Sequence, residues 1–286
     1  MKNKRKINST GVGLGLHARR ILAYVVLIIV SFFCLFWFYV LFVNATRSNS
    51  NLQSGFSVLP SSNLLSNWKH LLEKSGLPVI QGMLNSLIIS TCSAVVCVYF
   101  STMTAYAIHV YDFKLKKFIY PFILAVMMIP TQVTALGFVN LVSDMNLEDS
   151  FIPQIAVPVT FFYMKQYMES SLPLSLVEAA RIDGSGEFRT FNHIVLPLMK
   201  PAIAVQAIFT FVSSWNNYFI PALILHDDSK KTLPILIAQL RAADWLKFDM
   251  GQVYVMIAFS IFPVIVVYLI LSKHIVQGVA LGSVKG

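Results

Sequence analysis

The sequence predicts an all-α membrane protein with six transmembrane helices. Of its 286 residues, 56% are hydrophobic and only 12% are charged, whereas a soluble domain carries about 25% charged residues. The excess apolar surface is therefore expected to face lipid, and a helix of about 20 apolar residues is long enough to cross a bilayer. Six segments without Asp, Glu, Lys or Arg in their apolar parts are predicted as spans: residues 21–43, 85–110, 118–142, 151–167, 201–225 and 252–272.

The first predicted span follows a basic N-terminal tail. Residues 1–20 contain six Lys and Arg residues and are expected to be a flexible cytoplasmic tail. Residues 21–43 contain no charge and would form a helix about 35 Å long. Residues 44–84 are polar, with a short amphipathic piece expected at 68–74.

Proline residues interrupt the later spans of the predicted transmembrane domain, residues 21–272. Besides Pro201, which begins the fifth span, the prolines within those spans are Pro121, Pro130, Pro153, Pro158, Pro221 and Pro263. A proline removes a backbone donor and frees carbonyl groups that must be satisfied by protein or by water in a cavity. Residues 273–286 form the predicted cytoplasmic C-terminal tail.

The distribution of basic residues predicts which side of the membrane each loop faces. With the N-terminus inside, the inner segments carry 15 of the 22 Lys and Arg residues and the outer loops carry 7. The positive-inside bias therefore places both termini and the loop at residues 171–200 in the cytoplasm. Because these charges belong to membrane loops without interleaved aromatics, no nucleic-acid partner is expected.

The loop at residues 171–200 is rich in polar and charged side chains. Ser175 and Glu178 have the spacing of a capping box, so a helix is expected to begin near Leu176. Gly184 is expected to end that helix in the left-handed conformation. A second short helix should follow, before the proline stop at Pro197.

This loop resembles the EAA loop of ABC importer permeases, and residues 171–200 are called the EAA segment below. The resemblance rests on Glu178-Ala179-Ala180, Asp183-Gly184 and the Ile194-x-Leu196-Pro197 exit, with Pro201 following. In that family the loop is a cytoplasmic coupling helix that docks into a groove of a separate ATPase subunit. The resemblance implies ATPase-coupling roles for Glu178, Ala179, Ala180, Arg181, Asp183, Gly184 and Pro197.

The full chain is similar to the maltose- and glycerol-phosphate-type importer permeases. Its ending, residues 277–286, resembles the Val-Lys-Gly tail of the second permease of such pairs, which implies that Val284, Lys285 and Gly286 contact the ATPase. The resemblance further implies a type I ABC importer permease fold in a bacterial or archaeal-type plasma (inner) membrane. Implied partners are a second permease, two ABC ATPase subunits, an extracytoplasmic solute-binding protein and a sugar.

The chain lacks the sequence motifs of an energy-converting enzyme. It contains no P-loop, no H-E-x-x-H and no G-x-S-x-G. We therefore expect no catalytic residue, metal or cofactor in this chain, with ATP and Mg²⁺ bound by the partner subunits. The alternatives are an ion-coupled secondary carrier, a membrane scaffold, or an importer of the same architecture with a non-sugar substrate.

Uncharged polar residues are the candidates for a substrate path. Ser213, Trp215, Asn216, Asn217 and Tyr218 cluster in the fifth predicted span, and Gln132 follows Pro130 in the third. Amides can bond sugar hydroxyls and aromatic rings can stack on a sugar, and a buried amide without a partner is costly in lipid. The alternative is that these residues join helices or belong to an interfacial aromatic belt.

Overall fold

A computed structural model describes residues 9–155, 160–242 and 249–282, and the regular secondary structure in those ranges is entirely helical. The all-α prediction is therefore confirmed for this part of the chain. The described residues divide into two compact units, one formed by residues 9–70 with Asp249–Ala258 and the other by residues 71–242 with 259–282.

Fifteen α-helices lie within the described ranges. The first eight are α1 (Ser9–Ala45), α2 (Asn49–Gln53), α3 (Leu64–Glu73), α4 (Val79–Val110), α5 (Lys116–Met127), α6 (Thr131–Asp144), α7 (Ile152–Ile155) and α8 (Phe161–Ser171). The others are α9 (Leu174–Ile182), α10 (Glu187–Thr190), α11 (Leu196–Leu198), α12 (Lys200–Trp215), α13 (Phe219–Ile224), α14 (Leu233–Arg241) and α15 (Met250–Gly282). A π-helical turn, Phe191–Val195, joins α10 to α11, and a 3₁₀ turn covers Asp228–Lys230.

In the first unit, buried polar side chains order the polar stretch that follows α1. The Asn67 amide donates to the carbonyls of Ala45 and Arg47 at 3.0 and 2.8 Å. The buried Arg47 guanidinium donates to the carbonyl of Gly55 at 2.8 Å. Because buried carbonyls need donors, these two side chains hold together a loop that the sequence predicts only as polar. The amphipathic piece expected at 68–74 coincides with the second half of α3, which ends at Glu73.

In the second unit, α4 is the central helix and packs against α7, α8, α12 and α14. Its buried face consists largely of small residues, which allow neighbouring helices to approach closely. The small buried residues are Gly82, Ser86, Ser90, Ser93, Ala94, Cys97, Ser101, Thr102 and Ala105. A second layer of larger side chains, including Met164, Met168 and Met199, packs with the C-terminal end of α4 and with the EAA segment.

Three described helices are long and apolar enough to cross a membrane: His17–Ala45, Val79–Val110 and Met250–Lys273. Two bent pairs pass the same test when each is taken as one span, Lys116–Met127 with Thr131–Asp144 at 99° and Glu187–Leu198 with Lys200–Trp215 at 81°. The described ranges thus contain three to five candidate spans by length and composition. Six spans and the orientation of the termini stay predictions.

Several helix bounds differ from the predicted spans. The first helix begins at Ser9, within the predicted tail, and α4 begins at Val79 rather than at residue 85. The predicted span at 118–142 bends at Pro130, which is extended and which biases the residue before it away from the helical conformation. The predicted span at 201–225 contains a break between α12 and α13, and the predicted span at 151–167 includes residues 156–159, outside the described ranges.

Candidate functional site

The EAA segment folds as two helical stretches joined by a turn at Gly184. Gly184 has φ +76°, the left-handed conformation that the sequence predicts. The Ser185 N–H donates to the Ala180 carbonyl at 2.9 Å and the Gly184 N–H donates to the Arg181 carbonyl at 3.0 Å. These two bonds form a Schellman motif, which satisfies the last carbonyls of α9. The prediction for Gly184 is confirmed. Glycine suits this position because the left-handed conformation of the turn is unfavourable for a residue with a Cβ.

The predicted start of the first helix is wrong by two residues. Helix α9 begins at Leu174, and its N-cap is Pro173 without a side-chain cap hydrogen bond. Ser175 and Glu178 therefore lie within the helix and do not form the capping box. Pro173 has φ −65° and its carbonyl accepts from the Leu176 N–H at 3.1 Å, so the fixed proline geometry begins the helix instead.

Helix α9 has one buried face and one exposed face. Val177 and Ala180 are buried, so Ala180 anchors the helix rather than contributing side-chain surface. The exposed motif residues are Glu178, Ala179, Arg181, Asp183 and Gly184.

Two large apolar side chains project from the EAA segment beside those exposed residues. Ile182 is 86% exposed and Phe188 is 71% exposed. Exposed apolar groups with a polar rim are typical of protein contact sites. We call Glu178, Ala179, Arg181, Ile182, Asp183 and Phe188 the docking surface. Ile182 and Phe188 were not predicted from the sequence, although two apolar residues within a charged stretch were a usable signal.

An ion pair connects the two helical stretches. The Arg181 Nε donates to the Glu187 Oε1 at 2.6 Å, across the Gly184 turn. The Arg181 guanidinium above all, together with the nearby Tyr111 and Tyr106 hydroxyls, holds the pKa of the Glu187 carboxyl below its usual value. Arg181 was predicted as a docking contact, and the structure gives it this intramolecular partner as well. Glu187 was not singled out from the sequence.

The second stretch contains a widened turn before Pro197. The Leu196 N–H donates to the Phe191 carbonyl, five residues back, which is π-helical bonding. Proline has no N–H and its ring crowds the preceding turn, so such a widening accommodates Pro197 inside the helix. Phe191 and Val195 are buried and anchor this turn, whereas Pro197 is exposed.

The candidate path residues differ in how far they are buried. Trp215 is buried and stacks on Phe211, with ring centroids 5.8 Å apart and planes at 15°. Asn217 is half-buried, and the remaining candidates are exposed: Gln132, Ser213, Asn216 and Tyr218. The structure thus places Trp215 in helix packing, which was the alternative interpretation. A path role for the other five stays a prediction.

A buried polar cluster near the middle of α4 was missed from the sequence. The Ser93 hydroxyl donates to the Gln154 carbonyl at 3.3 Å, and Cys97 Sγ lies 3.2 Å from the Thr160 hydroxyl. Gln154 is 6% exposed, and its side-chain amide finds no hydrogen-bond partner in the part of the chain that is described. An unsatisfied buried amide costs folding free energy. This cluster is therefore a polar contact between helices that is separate from the candidate path residues.

Two expectations concern groups outside this geometry. Val284, Lys285 and Gly286 lie outside the described residues, so their contact with an ATPase stays a prediction. Within the described ranges, His, Cys, Asp and Glu do not gather in groups of three that could hold a metal ion. Cys34, Cys92 and Cys97 form no disulfide within the described ranges.

Comparisons with known proteins bear on most of the chain. Residues 97–281 match the family described as "Binding-protein-dependent transport system inner membrane component". The chain is 36% identical over 209 residues to the arabinooligosaccharides transport system permease protein AraQ of Bacillus subtilis (strain 168), covering 71% of this chain and 72% of that protein. It is 30% identical over 267 residues to the sn-glycerol-3-phosphate transport system permease protein UgpE of Yersinia pestis, covering 90% and 95%.

A further relative and one solved structure extend these likenesses. The chain is 28% identical over 255 residues to the melibiose/raffinose/stachyose import permease protein MelC of Bacillus subtilis (strain 168), covering 87% and 91%. The fold is similar to a chain from a bacterial ABC transporter involved in the import of the acidic polysaccharide alginate. The TM-score is 0.75 at 22% identity, over 94% of this chain and 99% of that chain.

Proposed function

The chain belongs to the family of binding-protein-dependent transport system inner membrane components, and from this premise we propose that it helps to import a sugar or oligosaccharide. The family match confirms the resemblance to ABC importer permeases, and the relatives are transport subunits rather than enzymes. The observation that carries the proposal is the EAA segment, whose turn and docking surface are suited to receive force from a separate motor.

The substrate class is supported by the names of the relatives. Three of the proteins described above are named for saccharides: arabino-oligosaccharides, melibiose, raffinose and stachyose, and alginate. A saccharide therefore fits this chain best. Asn216, Asn217, Tyr218, Ser213 and Gln132 are the uncharged side chains that we assign to the path, because hydroxyl-rich solutes are bound by amides, hydroxyls and rings.

The proposed assembly pairs this chain with a second permease and two ATPase subunits. The termini and the EAA segment face the cytoplasm, six spans cross the inner membrane, and a solute-binding protein delivers the sugar from outside. ATP and Mg²⁺ bind to the ATPase subunits, and this chain supplies no nucleotide chemistry.

The proposed transport cycle acts through the docking surface. When the ATPase subunits close on ATP, they displace the EAA segment and favour the outward-open arrangement of the spans. Hydrolysis returns the spans to the inward-open arrangement. Each ligand acts only through its higher affinity for one of the two states.

Reconstitution of the full complex tests this proposal. We expect purified permeases, ATPase and binding protein in proteoliposomes to hydrolyse ATP faster when a cognate saccharide is added, and to accumulate that saccharide. Uptake that persists without ATP and is abolished by collapse of an ion gradient would favour a secondary carrier. Co-purification without an ATPase would favour a scaffold.

A phosphodiester or glycerol phosphate is the second candidate substrate. The likeness to UgpE over 90% of this chain favours it. Competition separates the two candidates in the same proteoliposomes. Saccharide uptake that is unaffected by excess sn-glycerol-3-phosphate supports the sugar, whereas accumulation of the phosphate compound alone supports the second candidate.

A further inference from the structure

We propose that Glu187 is a positioning residue that ties the EAA segment to α4, so that both move as one body. One carboxylate joins three elements. Its Oε1 accepts from Arg181 Nε of α9 at 2.6 Å, and its Oε2 accepts from the Tyr106 hydroxyl of α4 at 3.0 Å. Glu187 itself is the first residue of α10. Because both oxygens are used, displacement of either helical stretch pulls on the same residue of α4.

Aromatic packing fixes the orientation of the Tyr106 hydroxyl toward the Glu187 carboxylate. Tyr106 is 4% exposed, and its ring lies 5.5 Å from Phe191 and 6.1 Å from Tyr111. The Arg181 guanidinium lies 5.4 Å from the centre of the Tyr111 ring. A buried phenol held on two sides has little freedom to rotate, so its hydroxyl meets the carboxylate in one geometry. Hydrogen bonds to charged groups are about twice as strong as neutral ones.

A second contact, about two turns before Tyr106 on α4, joins the same two elements. The Tyr99 hydroxyl donates to the Asn192 Oδ1 at 3.2 Å, and the Tyr99 ring lies 5.7 Å from Phe191. Asn192 lies in the π-helical turn that follows α10. Two hydroxyl bonds spaced along α4 resist both sliding and rotation of the EAA segment, which one bond alone would not do.

Helix α4 is long enough to carry that motion to the far end of the second unit. Its 32 residues correspond to about 48 Å. At the opposite end, the buried Asn85 amide donates to the carbonyls of Ser229 and Lys231 at 2.9 and 3.0 Å. The Ser86 hydroxyl accepts from the Leu233 N–H at 2.8 Å. The loop at residues 226–232 is therefore fixed to α4, the same helix whose Tyr106 hydroxyl donates to Glu187.

The consequence is a two-ended link along a single helix. This inference rests on the proposed function, since it assigns the direction in which force from the ATPase travels. The EAA segment receives the displacement, Glu187 and Tyr106 pass it to α4, and the loop at residues 226–232 moves at the side on which the binding protein docks. The same link operates in reverse, so docking of the binding protein reports to the ATPase.

Tyr106→Phe isolates the hydroxyl, because the ring packing remains. In the reconstituted complex we expect basal ATP hydrolysis to be retained and its stimulation by loaded binding protein to fall about tenfold, the scale of one hydrogen bond to a charged group. Saccharide transported per ATP should fall with it. Tyr163→Phe removes a hydroxyl from an exposed tyrosine of α8 and is the matched control, expected to behave as wild type.

The outcomes separate this inference from the proposed function. If the wild-type complex neither hydrolyses ATP nor transports saccharide, the proposed function fails. If wild type couples normally and Tyr106→Phe couples equally well, the Glu187 link is wrong. Loss of basal hydrolysis and stimulation together, in assembled Tyr106→Phe complex, would also overturn it, because that result describes a merely structural role.

A distance measurement keeps the test independent of folding defects. Spin labels at His193 and Phe100, both exposed, report on the π-helical turn and on α4 in the otherwise native assembly, after Cys34, Cys92 and Cys97 are changed to serine. The link predicts one unchanged distance distribution with and without ATP. A nucleotide-dependent shift between these two labels would mean that the EAA segment slides over α4, and would contradict the proposal.

Discussion

A series of substitutions at Gly184 separates two effects: the left-handed conformation of the turn and the space that the missing side chain leaves for the ATPase groove. Gly184 has φ +76°, and a Cβ built at this position meets nothing within 4 Å. The left-handed conformation costs a residue with a Cβ about 1–2 kcal/mol, which is a factor of about 5–30 in the population of the turn. Asparagine tolerates this conformation better than alanine. The structure thus allows conformation and bulk to be varied separately.

We expect Gly184→Asn to couple nearly as wild type and Gly184→Ala to lose part of its activity through the turn alone. Gly184→Trp has a backbone cost of the same kind as alanine, but it adds a large ring between Ile182 and Phe188 on the docking surface. It should insert normally and lose all saccharide-stimulated hydrolysis, because the ring occupies space that the ATPase groove needs.

The assay for this series is saccharide-stimulated ATP hydrolysis in proteoliposomes, with complex assembly measured on the same samples. Equal losses in the alanine and tryptophan variants would show that only the backbone conformation matters. Normal hydrolysis in the tryptophan variant would refute the docking role of this turn.

Three further predictions concern stability. Asn85→Leu removes the two hydrogen bonds that the buried Asn85 amide donates to the Ser229 and Lys231 carbonyls and should lower the free energy of unfolding by about 2 kcal/mol, seen as a lower melting temperature in detergent. Gly251→Ala brings a Cβ to 2.8 Å from the Asn67 amide and should cost about 1–3 kcal/mol, whereas Gly137→Ala, with open space, should not. The pKa of Glu187 is lowered in the folded state, so its ionised carboxylate stabilises the fold at pH values above the unfolded-state pKa. That stabilisation is lost as the pH falls through the folded-state pKa. The difference in melting temperature between wild type and Glu187→Gln should therefore persist at neutral pH and vanish in acid.

Local backbone chemistry was predictable from the sequence. Gly184 ends α9 because a left-handed turn favours glycine, and that requirement is visible in the residue itself. Pro201 lies in the first turn of α12, where its missing N–H leaves no intrahelical bond unmade. The long apolar runs also predicted α1, α4 and α15, because lipid imposes composition over many consecutive residues.

Features that depend on competition between neighbouring signals were predicted less well. Ser175 and Glu178 have a capping spacing, but Pro173 begins the helix first. The run at 118–142 looks continuous in hydrophobicity, but Pro130 bends it by 99°. In both cases one proline outweighs a pattern that is summed over several residues, because its restriction is steric and local.

Contacts between distant residues were not predictable from one sequence. Tyr106 and Glu187 are 81 residues apart, and Asn85 and Ser229 are 144 apart. A single chain gives no signal that pairs them, since each residue alone fits an ordinary interfacial position. Burial of Trp215 was likewise hidden, because it stands in a polar run of the sequence, between Ser214 and Asn216.

Accessibility of the EAA segment tests the central claim most directly. A single cysteine at Ile182, 86% exposed and on the docking surface, can be introduced after the three native cysteines are changed to serine. An impermeant thiol reagent should modify it in inside-out vesicles and not in right-side-out vesicles, and bound ATPase subunits should protect it. Modification from the outer side, or equal modification with and without the ATPase, would contradict the transmission of force through this segment.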